Sequence, residues 1–209
     1  MQEILCEIER LKTSEERRTI DRRLLEFDEA GSDPEKVFSE LCFCLLTANF
    51  NAERSIKIQN EMGDGFLKLP PEKLAQRLKE LGHRFPNARA KFIFEARKHA
   101  SGLKEKIESF ASDAEARKWL AENVKGLGMK EASHFLRNTG RKNLAIIDFH
   151  IVNLLARHGL IEKPKSKSVS AKRYVEIEKV LEGVCDKTGL SQAELDLYLW
   201  YLETGKILK

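Results

Sequence analysis

The sequence predicts an all-α protein. Apolar residues recur at three- and four-residue spacing, β-branched alternation is nearly absent, and helix start and stop signals are frequent along the 209 residues. An acidic, amphipathic segment begins at Met1-Gln2-Glu3, so no secretory signal is expected. Ser14-Glu15-Glu16 precedes a helix expected to run to Ala30 and stop at Gly31. Asp33-Pro34 reads as a cap followed by proline in the first turn, opening Glu35 to Leu46. Asn51 caps a helix through Glu61, and Gly63-Asp64-Gly65 breaks it. Leu69-Pro70-Pro71-Glu72 opens a short helix ending at Gly82, and Pro86 opens a basic one toward Ala100. Further helices are expected over about Ala114–Glu122, Met129–Asn138, Phe149–His158 and Lys172–Asp186. Ser191-Gln192-Ala193-Glu194 is a capping box for the last, which stops at Gly205.

This length fits one large domain or two small lobes. The longest apolar run, Leu41 to Leu46, is far too short to cross a bilayer, so no membrane partner and a cytoplasmic protein are expected. Charged residues make up 33% of the chain, and the net charge of +4 permits nucleic-acid binding without demanding it. Cys6, Cys42, Cys44 and Cys185 make no zinc or iron–sulfur spacing and are expected to be small core residues in a reducing compartment. The five histidines form no i,i+4 ligand pair, and no metal is assigned. The polar stretch from Glu162 to Arg173, with Lys163, Lys165, Lys167 and Lys172, reads as a mobile or phosphate-facing loop or as a solvated linker.

The informative stretch is Val124-Lys125-Gly126-Leu127-Gly128-Met129-Lys130, followed by Ile146-Ile147-Asp148-Phe149-His150. A tight Gly-Leu-Gly turn between helices leaves backbone N–H groups pointing outward, and the next helix adds its own unpaired N–H groups. Such a nest grips a phosphate without reading sequence. Gly126 and Gly128 are both expected at positive φ, with Leu127 at the tip and Lys125 beside it. Taken alone the turn is more often an ordinary helix–helix connection; the flanking helices, Lys125 and the apolar tip favour the DNA-binding reading. Lys130, early in a helix, stands against the dipole; by position it is a solvated lysine or an amine nucleophile. Asp148 follows a buried apolar run and is fully explained as an N-cap, yet one carboxylate oxygen can cap while the other faces a pocket.

From Val124 to Ile151 the chain resembles the helix–hairpin–helix, Gly/Pro…Asp superfamily of DNA glycosylases, which includes endonuclease III. Leu45-Leu46-Thr47-Ala48-Asn49 resembles that superfamily's N-terminal helix and following loop, and Gly82-His83-Arg84-Phe85-Pro86 its segment that reaches into the duplex. The chain lacks the C-terminal four-cysteine cluster of endonuclease III and the extra β domain of the larger eukaryotic-type enzymes. Leu41-Cys42-Phe43-Cys44, the run Glu131 to Asn138, and Glu194 to Lys206 are similar to the small type 2 8-oxoguanine DNA glycosylase/AP lyases.

The resemblance covers the whole chain and carries definite implications. It implies two helical lobes, about 33–140 and 1–32 plus 141–209, with the active site in the cleft between them. It implies a monomer acting without metal or cofactor on double-stranded DNA containing 8-oxoguanine. Lys130 is then the Schiff-base nucleophile and Asp148 its carboxylate partner. The last residue, Lys209, becomes the acceptor that recognises the hydrogen on N7 of the oxidised base; by position alone Ile207-Leu208-Lys209 is a frayed end. Trp200 is a candidate to stack on the flipped base. Phe85 is a candidate to fill the gap or contact the estranged cytosine. Arg84, Arg89, Lys91, Lys125 and Arg137 are candidate phosphate contacts. The rivals are a same-fold glycosylase for oxidised pyrimidines, a non-catalytic DNA-binding hairpin and a helical scaffold.

Overall fold

The computed structural model describes residues 2–163 and 169–209. Among them the chain forms thirteen α-helices and no strand. Part of the basic stretch expected between Glu162 and Arg173 lies outside the described residues; Lys172 and Arg173 themselves sit in a helical first turn.

Helices α1 (Gln2–Lys12) and α2 (Glu15–Ser32) come first, then α3 (Pro34–Thr47), started by Asp33, whose carboxylate accepts from the Glu35 and Lys36 N–H groups. Next are α4 (Ala52–Met62), capped by Asn51, and the single turn α5 (Gly65–Lys68). α6 (Pro71–Glu80) and α7 (Pro86–Ala96) each open on proline, and α8 (Leu103–Glu108) and α9 (Asp113–Asn123) follow. The second half holds α10 (Met129–Asn138), α11 (Phe149–Arg157), α12 (Ala171–Thr188) and α13 (Gln192–Thr204), the last closed by the expected Ser191–Glu194 capping box.

Two apolar cores organise these helices. One runs from Val37 to Leu136 with Leu144 and holds α3 to α10. The other joins Ile4, Ile8, Ile20 and Phe27 of α1 and α2 to Ala145–Leu155, α12 and α13. The apolar run in α3 is explained by its place: from Val37 to Thr47 only Ser39 escapes burial, so this is a helix covered on all sides. That is why Cys42 and Cys44 are both buried although they point to different faces. Cys6, by contrast, is exposed on α1 and is no core residue.

The cores are tied together by buried polar groups. Arg117 of α9 makes a bidentate pair with Glu178 of α12 at 2.6 and 2.8 Å. Glu178 also accepts the Ala145 N–H at 3.0 Å. The Tyr174 hydroxyl donates to the Ala145 carbonyl at 2.8 Å and accepts the Ile147 N–H at 3.1 Å. The backbone of 145–147 thus finds partners on α12 in place of a sheet, and this fixes where Asp148 emerges.

Several boundaries differ from expectation. Gly31 does not stop α2, which continues to Ser32. Its role is close packing: a Cβ there would stand 2.2 Å from the Thr139 carbonyl oxygen. The helix from Pro86 stops at Ala96 and tightens into a 3₁₀ turn over Arg97–His99, where the Arg97 guanidinium turns back to the Phe66 and Leu69 carbonyls. The six-residue α8 is signalled only by Leu103 and Ile107, one turn apart and both buried.

Candidate active site

A cleft of about 1120 Å³ opens between the two cores. Its walls are the loop after α3, the start of α10, the segment leading into α11, one face of α13 and the C-terminal tail. Lys130 and Asp148 both line it. Lys130 is the second residue of α10 and is partly exposed. Asp148 caps α11, its Oδ1 accepting the Ile151 N–H at 2.9 Å. Oδ2 has no hydrogen-bond donor among the described residues, so one oxygen caps while the other is available to the cleft.

Behind this pair lies a group that sequence reasoning missed. Asp196 of α13 is buried, and Arg137 approaches it at 3.5 Å. Burial works against charge at both ends: it lowers the pKa of Arg137 and pushes the Asp196 carboxyl from its ordinary 3.8 up to about 6. The Asp196 carboxyl is also raised by the charge of Asp148 and lowered by that of Lys130, which puts all three in one electrostatic neighbourhood. His134, one turn after Lys130, is buried beside them. Burial, then Arg137 and Lys130, hold its pKa well below the usual range, so the imidazole is neutral. The spacing of Lys130, His134 and Asn138 along one face of α10 was the available signal.

The C-terminus is not frayed. The Lys209 ammonium reaches Glu40 Oε1 at 2.5 Å and Gln59 Oε1 at 2.5 Å and lies over the Phe43 ring, 4.6 Å from its centre. Glu40 and Gln59 were also missed; a lone carboxylate within the apolar run of α3 was the clue. Trp200 is half-buried and lines the cleft, its ring edge-on to His150 at 5.0 Å, so it belongs to the wall and not to a core.

The hairpin differs in detail from its expected form. Gly126 has φ +97°, but Gly128 is extended, with φ −100° and ψ −170°. Leu127 does not project from the tip: its side chain is buried in the first core and its N–H donates to the Val124 carbonyl at 3.1 Å. The outward groups of this turn are therefore those around Gly126 and the first turn of α10, where the Glu131 carboxylate accepts the Gly128 N–H at 3.3 Å. Lys125 is exposed, 3.6 Å from Glu95.

Phe85 does not line the cleft; it is 37% exposed with the Arg84 guanidinium over its ring. Its loop is set by His83, whose Nδ1 accepts the Phe85 N–H at 3.0 Å while Nε2 donates to the Leu46 carbonyl at 3.0 Å. Two candidate phosphate contacts are spent elsewhere. Arg89 is buried on the Ala48 carbonyl, and Arg137 is buried between Asp196 and the Phe27 ring. Arg84, Lys91 and Lys125 remain exposed.

A lysine and an aspartate at the starts of two helices, opening on one cleft beside a tight glycine turn, correspond to the helix–hairpin–helix class of DNA glycosylase. A family profile described as 8-oxoguanine DNA glycosylase matches residues 20–190, and the chain belongs to that family. The 8-oxoguanine DNA glycosylase/AP lyase of Korarchaeum cryptofilum is 53% identical over 99% of this chain and 98% of its own. The Methanocaldococcus jannaschii 8-oxoguanine glycosylase/lyase, solved in complex with a 15mer DNA containing 8-oxoguanine, superposes with a TM-score of 0.95 at 48% identity over 100% of both chains. The 8-oxoguanine DNA glycosylase of Thermotoga maritima gives a TM-score of 0.92 at 46% identity, covering 100% of this chain and 99% of that one.

Proposed function

We propose that this chain is a bifunctional DNA repair enzyme that excises 8-oxoguanine from double-stranded DNA through a Schiff base on Lys130 and cuts the strand at AP sites by β-elimination. The observation that carries the reading is the shared opening of Lys130 and Asp148 on one cleft large enough for a base. Membership of the 8-oxoguanine DNA glycosylase family supports the substrate. No described helix is long and apolar enough to cross a membrane.

The chemistry follows from the groups present. The target base leaves the stack, because its sugar carbon cannot be attacked inside an intact duplex. Asp148 stabilises the positive charge that develops on the sugar as the bond to the base weakens. The unprotonated Lys130 amine attacks C1′ and the base departs with the bonding electrons. Loss of a proton and opening of the sugar ring leave an imine between Lys130 and C1′. Removal of a proton from C2′ then expels the 3′ phosphate, and hydrolysis of the imine frees the enzyme.

Base choice rests on a different part of the cleft. Guanine offers N7 as an acceptor, whereas in 8-oxoguanine N7 carries a hydrogen. A main-chain oxygen of Lys209 accepts that hydrogen and finds no partner on guanine, a mismatch costing about 1–3 kcal/mol. Trp200 supplies a ring for the flipped base to stack on, and Phe85 occupies the gap it leaves or contacts the estranged cytosine. The turn at Gly126–Gly128 with Lys125, and the exposed Arg84, grip the backbone. The direct test of the mechanism is borohydride reduction on an 8-oxoguanine duplex, which is expected to give a covalent complex with the native chain and none with Lys130→Gln.

A further inference from the structure

Reading N7 needs only the main chain of Lys209, yet its side chain is held as well. An ammonium has three N–H donors. Two go to Glu40 Oε1 and Gln59 Oε1, each at 2.5 Å, and the remaining face meets the Phe43 ring. The acceptors are themselves aimed. Glu40 is 7% exposed, and its second oxygen is taken by the Asn138 amide at 2.8 Å. The Gln59 amide nitrogen donates to Glu40 Oε1 at 3.0 Å and to the Ser39 hydroxyl at 3.0 Å, which leaves its oxygen turned to the lysine.

All these groups belong to the α3–α4–α10 side of the cleft, whereas the tail carrying Lys209 leaves α13 on the other side. The tail therefore spans the cleft and plugs into the facing wall. A second pair, Lys206 on Glu53 at 2.8 Å, lies along the same crossing on the exposed side. Behind Lys209, Ile207 packs against the second core, so the tail is anchored on one side of the cleft and its last side chain on the other.

We propose that Glu40, with Gln59 and Phe43, forms an ammonium socket that makes Glu40 a positioning residue for substrate choice: it seats Lys209 and so sets the main-chain acceptor that reads N7. The inference rests on the Lys209 reading above and deepens it.

The test is the ratio of 8-oxoguanine excision to AP-site cleavage, measured on matched duplexes for three full-length variants. Glu40→Gln is expected to lower that ratio roughly tenfold, the scale of one charged hydrogen bond. Lys209→Met keeps the stem and main chain but removes the ammonium, and it should lower the ratio to a similar extent. The double variant should be no worse than either single one, because both remove the same seat. A merely structural role for Glu40 would instead reduce AP-site cleavage in parallel and leave the ratio unchanged, which would overturn the inference. An unchanged ratio in Lys209→Met would overturn it independently of how well Glu40→Gln folds. Deleting Lys209 separates the two readings. If deletion lowers the ratio while Glu40→Gln and Lys209→Met do not, the socket falls and the N7 acceptor stands; if deletion leaves the ratio unchanged, both fall.

Discussion

At the scale of single residues, Asp196 ties this cleft to pH. Its carboxyl is held at about 6 by burial, against an ordinary 3.8. An acid raised in the folded state keeps its proton where the unfolded chain has already lost it. Stability is therefore lost as the pH rises from about 4 through about 6, by an amount of order 2–3 kcal/mol. Asp196→Asn mimics the protonated acid beside Arg137 and should flatten the dependence of urea midpoints between pH 4.5 and 6.5; a variant that keeps the full slope would assign it to other groups. Asp148 offers a contrasting test, because Oδ1 caps α11 and the proposed chemistry falls to the other oxygen. Asn caps as well as Asp, so Asp148→Asn should melt within about 1 kcal/mol of the native chain and lose most base excision. If it unfolds instead, the cap is the residue's main task.

Among elements, the hairpin separates what its two glycines do. Gly126 lies at φ +97°, and a Cβ on it would stand 2.6 Å from Phe92 Cδ2 and 3.1 Å from Leu45 Cδ2. Gly126→Ala should cost about 1–3 kcal/mol in denaturant unfolding and weaken duplex binding, whereas Gly128→Ala, at an ordinary φ of −100°, should cost under about 1 kcal/mol. Equal costs would mean that the turn is not set by Gly126. The sequence alone does not reveal this asymmetry, since G-x-G looks symmetrical until the ring of Phe92 on α7 is seen against one end. The same limit applies to Gly31, which looks like a helix stop but is a gap cut for the Thr139 carbonyl. Helix starts were legible because their caps are local: Asp33, Asn51, Asp148 and Ser191 each bond within three residues.

For the whole molecule, the fold was legible because helical periodicity and capping are written in neighbouring residues, and Lys130 and Asp148 stood out because each opens a helix. What was not legible depends on contacts across the chain. The pairing of Arg117 with Glu178 joins α9 to α12, Arg137 with Asp196 joins α10 to α13, and Glu40 meets the last residue. Arg89 and Arg137 read as phosphate contacts because the sequence shows their charge but not the carbonyl, carboxylate and rings that absorb it. The two cores meet at a cleft lined from both sides, with Lys130 on α10 and Asp148 at the start of α11, so the proposed chemistry calls for the assembled chain. The most direct measurement is to reduce the enzyme–DNA complex with borohydride on an 8-oxoguanine duplex, digest the product and locate the adduct by mass. One adduct is expected, on the peptide containing Lys130, and neither adduct nor base excision with Lys130→Gln. An adduct on another lysine, or excision and trapping that persist in Lys130→Gln, would contradict the assignment of Lys130.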